Sequence, residues 1–478
     1  MLDQSFSLKN FRTIFEIENR KGKFEKNFFS DDYLDLTGEL NSEKEKREKL
    51  ASVESFDDDY KSTQLKIEEL TRAREDLLDT ELLSCSNQVN EPGFGFILNR
   101  FYDDDTANYI YSVNKDKTSF FTMKQLQYNI YRSFKVKQTD RYTIVKQVKA
   151  ILQDNMPKYI VRTDIKKFYE SVPQIKLFEL LEGNQLLSPK SNALIKNIIH
   201  HFNDLSGQLT LSPDLRKGLP RGAGVSAYLS ELYMRAIDSQ ISKLDNLIFY
   251  GRYVDDIIAI FTPESKRSPS YYLDQIEGIV VNEGLSLNTT ATPSKTYQVD
   301  AYDSNIAAAI NFLGYSFKIE NKLYKDIYLS ANKKDKYRRR LEASFDSYLK
   351  DYKHDQEQAK RLLVHRLNYL TKNTRLQRPK KGLVGIYYSN SLLEKNSTCL
   401  DELNDILHTL INTKIPLVAF PKLNIRLKRF CFKKGFINKL FFNTNSKRKN
   451  VPDPRPPKIK LGKTSYNNFE RIVGAWKK

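Results

Sequence analysis

The run Leu247-Ile248-Phe249-Tyr250-Gly251-Arg252-Tyr253-Val254-Asp255-Asp256-Ile257-Ile258-Ala259-Ile260-Phe261 decides how the rest of the chain is read. Two apolar, β-prone stretches flank a pair of acids, the pattern of a hairpin whose polar turn lies at Asp255 and Asp256. Adjacent carboxylates repel, and each raises the pKa of the other unless a cation sits with them. The pair therefore predicts a positive partner, although two acids beside a Tyr also fit plain surface charge.

A second carboxylate, Asp164, ends another β-prone run, Tyr159-Ile160-Val161-Arg162-Thr163-Asp164, ahead of a helix-prone segment. If the two strands are neighbours in one sheet, Asp164 and Asp255 meet at its edge. Such carboxylates can hold two Mg²⁺ ions about 3.5–4 Å apart, the spacing that activates a hydroxyl nucleophile and stabilises a leaving pyrophosphate. Between these strands lie the turn Gly218-Leu219-Pro220-Arg221-Gly222-Ala223-Gly224 and a stretch of helical period from Ala227 to Leu244. Helices carrying a basic run from Lys333 to Arg340 are expected over 333–370.

In order, the chain reads Arg162-Thr163-Asp164-Ile165-Lys166-Lys167-Phe168-Tyr169, then Gly218 to Ser226, then Tyr253-Val254-Asp255-Asp256, then Leu285-Ser286-Leu287-Asn288 with Ser294-Lys295-Thr296, then Phe312-Leu313-Gly314-Tyr315. This set resembles the five palm motifs of reverse transcriptases over about residues 90–370. The resemblance implies an α+β right-hand polymerase with fingers, palm and thumb, an α-rich N-terminal region and a basic C-terminal extension. The expected divisions are 1–90 (charged helices), 91–325 (fingers and palm), 326–372 (thumb helices) and 373–478 (a basic RNA-binding extension).

The family's roles carry over motif by motif. The resemblance makes Asp164 and Asp255 the main metal ligands, Asp256 a weaker third, and the Ile165 backbone a donor of one oxygen, for two Mg²⁺ ions with Mn²⁺ as a substitute. Tyr169 matches a steric gate against the ribose 2′-OH. Gly222 allows close approach to template and incoming base pair, and Ser226 closes the second motif. Arg221 departs from the Gln common there and bears on nucleotide phosphate, template or sugar discrimination. Lys295 matches a lysine that protonates pyrophosphate, with six residues where the family has two between Asn288 and Lys295. Lys135 and Arg141 are fingers candidates for the triphosphate, and also fit surface cations. Phe312 to Tyr315 should grip the primer terminus.

The phrases Phe168-Tyr169-Glu170-Ser171-Val172 and Ala227-Tyr228-Leu229-Ser230-Glu231-Leu232-Tyr233-Met234 resemble bacterial abortive-infection and unknown-group reverse transcriptases of phage defence. That class implies an RNA template, often a dedicated non-coding RNA, together with dNTPs and a DNA product. It also implies priming from a protein hydroxyl, and a homo-oligomer or a companion defence protein. A catalytically idle palm serving as an RNA-binding scaffold, a retron-type enzyme and an RNA-dependent RNA polymerase are the alternatives. The three intact acids oppose the first and Tyr169 opposes the last.

Composition agrees with a nucleic-acid partner. The 478 residues carry a net charge of +19 and a pI near 9.4. Residues 1–82 are net −7, residues 83–420 net +11 and residues 421–478 net +15. In the last segment cations alternate with aromatics (Arg429-Phe430, Phe432-Lys433-Lys434, Lys439-Leu440-Phe441-Phe442, Trp476), which suits phosphate contact plus base stacking, as well as a solvated basic tail. The Pro-rich stretch Val451 to Pro457 reads as stiff and extended. Cys85, Cys399 and Cys431 form neither a disulfide framework nor a CxxC site, and His200 and His201 read as helix-surface residues. Without a membrane-length apolar run or signal-peptide pattern, the chain is expected to be cytoplasmic, with no membrane partner.

Overall fold

The computed structural model describes residues 2–20, 28–50, 57–104, 107–290, 295–301, 307–321, 323–375, 383–442 and 472–476. The Pro-rich stretch 451–457 and Ser294 lie outside them. Two units are distinguished: residues 1–138 with 167–238, and residues 139–166 with 239–478.

In the first unit, the charge-rich N-terminal sequence forms three helices, Leu8–Arg20, Asp31–Leu50 and Asp57–Asn90. Sparse apolar positions give narrow core-facing stripes, and polar pairs link the helices: Arg12 meets Asp79 at 2.6 Å, Arg47 donates to Gln64 at 2.7 Å, and Lys66 lies 3.3 Å from Glu43. The expected division at residue 90 is not where the unit divides. Asn129 donates to the Gln4 carbonyl at 3.0 Å, and Phe11 packs on Phe121 with ring centroids 5.7 Å apart, so the N-terminal residues share a core with helix Lys117–Phe134. Asp116 caps that helix by accepting from Ser119 N–H at 2.7 Å. Helix Pro189–Leu205 leaves His200 exposed and His201 half-buried, as its sequence suggested.

The second unit is built on a four-stranded antiparallel sheet in the order Leu247–Tyr253, Asp256–Phe261, Tyr159–Asp164, Tyr297–Asp300. Ile160, Val161, Ile257, Ile258, Ala259, Ile260 and Phe261 are fully buried, as near-continuous apolar runs require when both faces are covered. A second sheet pairs Ala307–Phe312, Tyr315–Glu320 and Leu323–Leu329 in sequence. Helices Ala331–Asp351 and Gln356–Thr371 follow, as expected for 333–370.

The boundary expected at 372 does not divide the core. One apolar cluster joins Ile260 and Phe317 of the sheets to Phe345 and Leu367 of the two helices, Leu403 and Leu407 of helix Thr398–Lys414, and Phe432 and Phe436 of helix Phe432–Ile437. Gly435 is required there, because a Cβ would stand 1.8 Å from the Thr371 carbonyl oxygen. Buried Asn373 receives a hydrogen bond from Phe442 N–H at 2.7 Å and donates its own N–H to the Leu440 carbonyl at 2.8 Å.

The described part of the basic tail corrects the base-stacking expectation. Phe432 is fully buried, Phe436 and Phe442 nearly so, and Phe432 meets Tyr337 edge-on at 5.8 Å. Trp476 donates to Ser344 Oγ at 2.9 Å and lies 5.5 Å from Tyr369, with Arg340 over its ring at 5.3 Å. These aromatics pack the protein core because cation–aromatic alternation on short helices is also an amphipathic pattern. Lys422, Lys428, Arg429, Lys434 and Lys439 remain exposed, and residues 443–471 lie outside the described residues.

Candidate active site

Tyr253 and Asp256 are the paired residues that close the hairpin, leaving Val254 and Asp255 as its two-residue turn. Val254 takes φ 62°, a left-handed conformation that a two-residue hairpin needs and a β-branched residue disfavours. Arg252 holds the strained turn by donating to the Val254 carbonyl at 2.8 Å.

Register places Asp164 directly opposite Asp256, and Ile165 N–H donates to the Asp255 carbonyl at 3.2 Å. The acids expected to meet do share one sheet edge, but the cross-strand partner is Asp256 and not Asp255. Arg162 lies on the same strand face as Asp164, two residues earlier, and diagonal to Asp256. Its guanidinium donates to Asp256 Oδ1 at 2.5 Å and to the Lys295 carbonyl, and stands 3.9 Å from Asp164 Oδ1.

Asp164 is 3% exposed. Its Oδ2 accepts from Lys295 Nζ at 3.1 Å and from Asn288 Nδ2 at 3.4 Å, whereas buried Oδ1 has no hydrogen-bond partner among the described residues. The Asp164 carbonyl also accepts from Asn288 N–H at 2.8 Å. Thr296 Oγ1 donates to the Asn288 carbonyl at 3.0 Å and lies 2.7 Å from Thr163 Oγ1, so both ends of the stretched fourth motif are tied to the strand. Ile165 is buried and bridges to Leu287. Burial pushes the Asp256 carboxyl up to about 6; Arg162 opposes the shift, Asp255 and Asp164 add to it, and Lys295 opposes it.

The positive partner demanded by the acid pair is therefore present as Arg162 and Lys295. Among the described residues, no three His, Cys, Asp or Glu side chains converge as a ligand set. The donors nevertheless fit a hard divalent cation: they are carboxylates, Asp164 offers a buried oxygen with no hydrogen-bond partner among the described residues, and a nearby cation would reverse the rise at Asp256. Sequence reading missed Arg162 and Asn288 as site residues, although the period-2 spacing of Arg162 and Asp164 carries the signal for the first.

Arg141, expected at the triphosphate, spends its guanidinium elsewhere. Nε donates to the Leu313 carbonyl at 3.1 Å and the second nitrogen donates to the same oxygen, at the turn where Leu313 (φ 46°) and Gly314 (φ 77°) link two strands. Lys333 stands 4.7 Å from the Tyr315 ring centroid and donates to the Ser389 carbonyl at 3.0 Å. Desolvation, then Arg141, lowers the Lys333 pKa to about 8. Between pH 8 and about 10.4 the unfolded chain binds the extra proton, so this group weakens the fold below pH 8 and stops doing so as pH rises past its unfolded value. Lys333→Met should raise Tm at pH 7 by on the order of 2 °C, with the gain shrinking toward pH 10.5 in thermal melts.

The remaining candidates lie in the first unit. Lys135 is exposed and left-handed, at φ 53°, where helix Lys117–Phe134 ends. Tyr169 is half-buried in the short helix Phe168–Ser171, and its carbonyl accepts from Leu219 N–H at 2.7 Å. The Arg221 guanidinium stands 5.4 Å from the Tyr169 ring centroid and forks onto Glu170, with Nε to Oε1 at 3.1 Å and the terminal nitrogen to Oε2 at 3.3 Å. Gly222 has φ 97°, and a Cβ would stand 2.7 Å from Ile110 Cγ2 and 2.8 Å from the Tyr111 carbonyl oxygen. The hairpin Leu98–Asp103/Asn108–Val113 makes that close approach, sealed by Tyr111 N–H donating to the Arg221 carbonyl at 2.7 Å. Ser226 is buried, its Oγ donating to the Pro220 carbonyl at 2.7 Å to pin the turn.

Residues 114–317 match the family model of the reverse transcriptase (RNA-dependent DNA polymerase). Two solved structures are similar: apo telomerase from Candida tropicalis truncated from its C-terminal domain (13% identity, TM-score 0.32, over 51% of this chain and 56% of that one), and telomerase from Candida albicans in complex with a TWJ fragment of telomeric RNA (12%, 0.34, over 72% and 62%). The chain thus spans less than two thirds of either structure. No curated protein matches, and no described helix is long and apolar enough to cross a membrane. The three acids and all five motifs fall inside the matched stretch, and residues 114–317 are a reverse transcriptase domain of the right-hand polymerase class.

Proposed function

We propose that the chain is an RNA-directed DNA polymerase working by two-metal nucleotidyl transfer. The observation that carries this reading is the sheet edge where Asp164 faces Asp256 across the ladder beside the Asp255 turn. Two Mg²⁺ or Mn²⁺ ions held by Asp164, Asp255, Asp256 and the Ile165 carbonyl would supply Lewis-acid activation of the primer 3′-hydroxyl and neutralise charge on the leaving pyrophosphate. Asp164, fixed by Asn288 through backbone and side chain, keeps its orientation without metal. Lys295, half exposed on a pinned backbone, serves as the proton donor to pyrophosphate. Primer extension on an RNA template with dNTPs, with and without substitution of the acids, tests the reading.

Tyr169 acts as the gate against ribose. The Glu170–Arg221 fork holds a cation beside its ring, so Arg221 restrains the ring and is not a free phosphate ligand. Tyr169→Val should increase rNTP incorporation relative to dNTP by about tenfold or more. Glu170→Gln should shift the ratio in the same direction by less. An unchanged ratio in single-nucleotide extension by Tyr169→Val removes the gate.

A role in phage defence, with a dedicated non-coding RNA template, a protein primer and an oligomeric or companion-bound state, is the finer part of the proposal. Its support is the pair of phrases at 168–172 and 227–234. Sequencing the nucleic acid that co-purifies with the protein, and testing for DNA covalently joined to it, decides template and primer together.

A further inference from the structure

We propose that Lys295 is an exchangeable counter-ion of the metal site, occupying Asp164 until a divalent cation displaces it. The inference rests on the two-metal reading and adds a property that reading does not contain: metal affinity set by the chain's own lysine, with the proton donor released by loading.

Three observations carry it. Asp164 is almost wholly buried, yet among the described residues its hydrogen bonds, from Lys295 and Asn288, fall on Oδ2 alone; Oδ1 has no hydrogen-bond partner there and only the Arg162 guanidinium at 3.9 Å. A buried carboxylate in that condition needs positive charge, and Lys295 supplies it at 3.1 Å. Secondly, the Lys295 side chain is 51% exposed, against 4% for Asp164, so its head can leave into water at little desolvation cost, whereas the acid cannot. Thirdly, the Lys295 backbone does not move with its head, because its carbonyl accepts from Arg162 and neighbouring Thr296 is tied to Asn288 and Thr163. The result is a charged arm on a fixed pivot.

Arg162 plays a different part. It is 8% exposed and divided among Asp256, the Lys295 carbonyl and the flank of Asp164, so it stays in place as a permanent partner of Asp256. Of the two cations, the half-exposed lysine is the one that exchanges. An ammonium and a divalent ion on one carboxylate repel, so binding of the ion and pairing of Lys295 are competing events.

The test measures Mn²⁺ binding by the full-length protein, without nucleotide, using the free-ion EPR signal. Lys295→Ala and Lys295→Gln should bind the tighter ion on the order of tenfold more strongly than wild type, while Lys295→Arg, which keeps the charge, should stay near wild type. Asp164→Asn should lose that ion and locates the site. If Lys295→Ala and Lys295→Gln bind Mn²⁺ no more tightly than wild type while Asp164→Asn loses it, the counter-ion inference is overturned and the metal site stands. If wild type and the Lys295 variants bind no Mn²⁺, the two-metal reading falls and takes the inference with it.

Discussion

Replacing Asp255 and Asp256 together by alanine should cut dNTP incorporation by about three orders of magnitude or more, the scale expected when several kcal/mol of transition-state charge stabilisation is removed. RNA retention, as proposed for this chain, should persist, since the substitution removes no cation. One side effect must be separated from chemistry. Asp256 is the 2.5 Å partner of buried Arg162, and its loss leaves the guanidinium with the Lys295 carbonyl and, at 3.9 Å, Asp164, at a cost below the roughly 3–5 kcal/mol of a wholly unpaired buried charge. The double Asn variant keeps a hydrogen-bond acceptor for Arg162 and should melt closer to wild type while remaining inactive. Thermal melts, filter binding of RNA and primer extension on the same samples distinguish lost ligands from lost fold. Persistent DNA synthesis by the folded Asn variant would sink the two-metal assignment, whereas RNA retention without any synthesis by wild type would favour the idle-scaffold alternative.

The second large effect concerns the tail. Phe432→Ala should destabilise the second unit by about 3–5 kcal/mol, because the ring is fully buried against Tyr337 and its cluster. That corresponds to a fall in Tm of roughly 10 °C. Deleting residues 421–478 removes Leu427, Phe432 and Phe436 from the same core and should unfold more than it unbinds. The electrostatic role of this segment is readable only through its exposed cations. Changing Lys422, Lys428 and Arg429 together to Gln should leave Tm nearly unchanged and lower the slope of log affinity for RNA against log salt by as much as about 2. An unaltered slope would make these residues a solvated surface.

The palm was legible because its strands are short and strongly β-branched, and because the acids stand at their ends, where a turn must be polar. Asp255 and Asp256 were located at the hairpin from the residues alone; the register that pairs Asp164 with Asp256 was not, since a one-residue difference in turn placement exchanges the two. Arg162 escaped notice because a cation inside an apolar strand reads as an interruption, when it is the side chain that makes the acid cluster tolerable. Gly222 and Ser226 were recognised as turn residues; Ser226 closes its own turn on Pro220, but the contacts that demand Gly222 lie on another part of the chain, with Ile110 and Tyr111. The tail misled for the same reason: whether a Phe faces a base or a core depends on what packs against it, and residues 341–411 are too distant in sequence to show that.

The long sequence separations at the site also govern when it forms. The hairpin 247–261 is local and closes on the microsecond scale, carrying two repelling acids at its tip. Arg162 lies 94 residues from Asp256, and Lys295 lies 131 from Asp164. Closing a loop of that length costs about 2 kcal/mol more in chain entropy than closing one of about ten residues. On that cost alone the central strand with its guanidinium is expected to join after the hairpin has closed, residues 167–238 making up most of the intervening loop. Until it does, the hairpin's own charge keeps its open edge from pairing with another chain, so the acids proposed to hold metal in the native state act as a guard against misassembly on the way there.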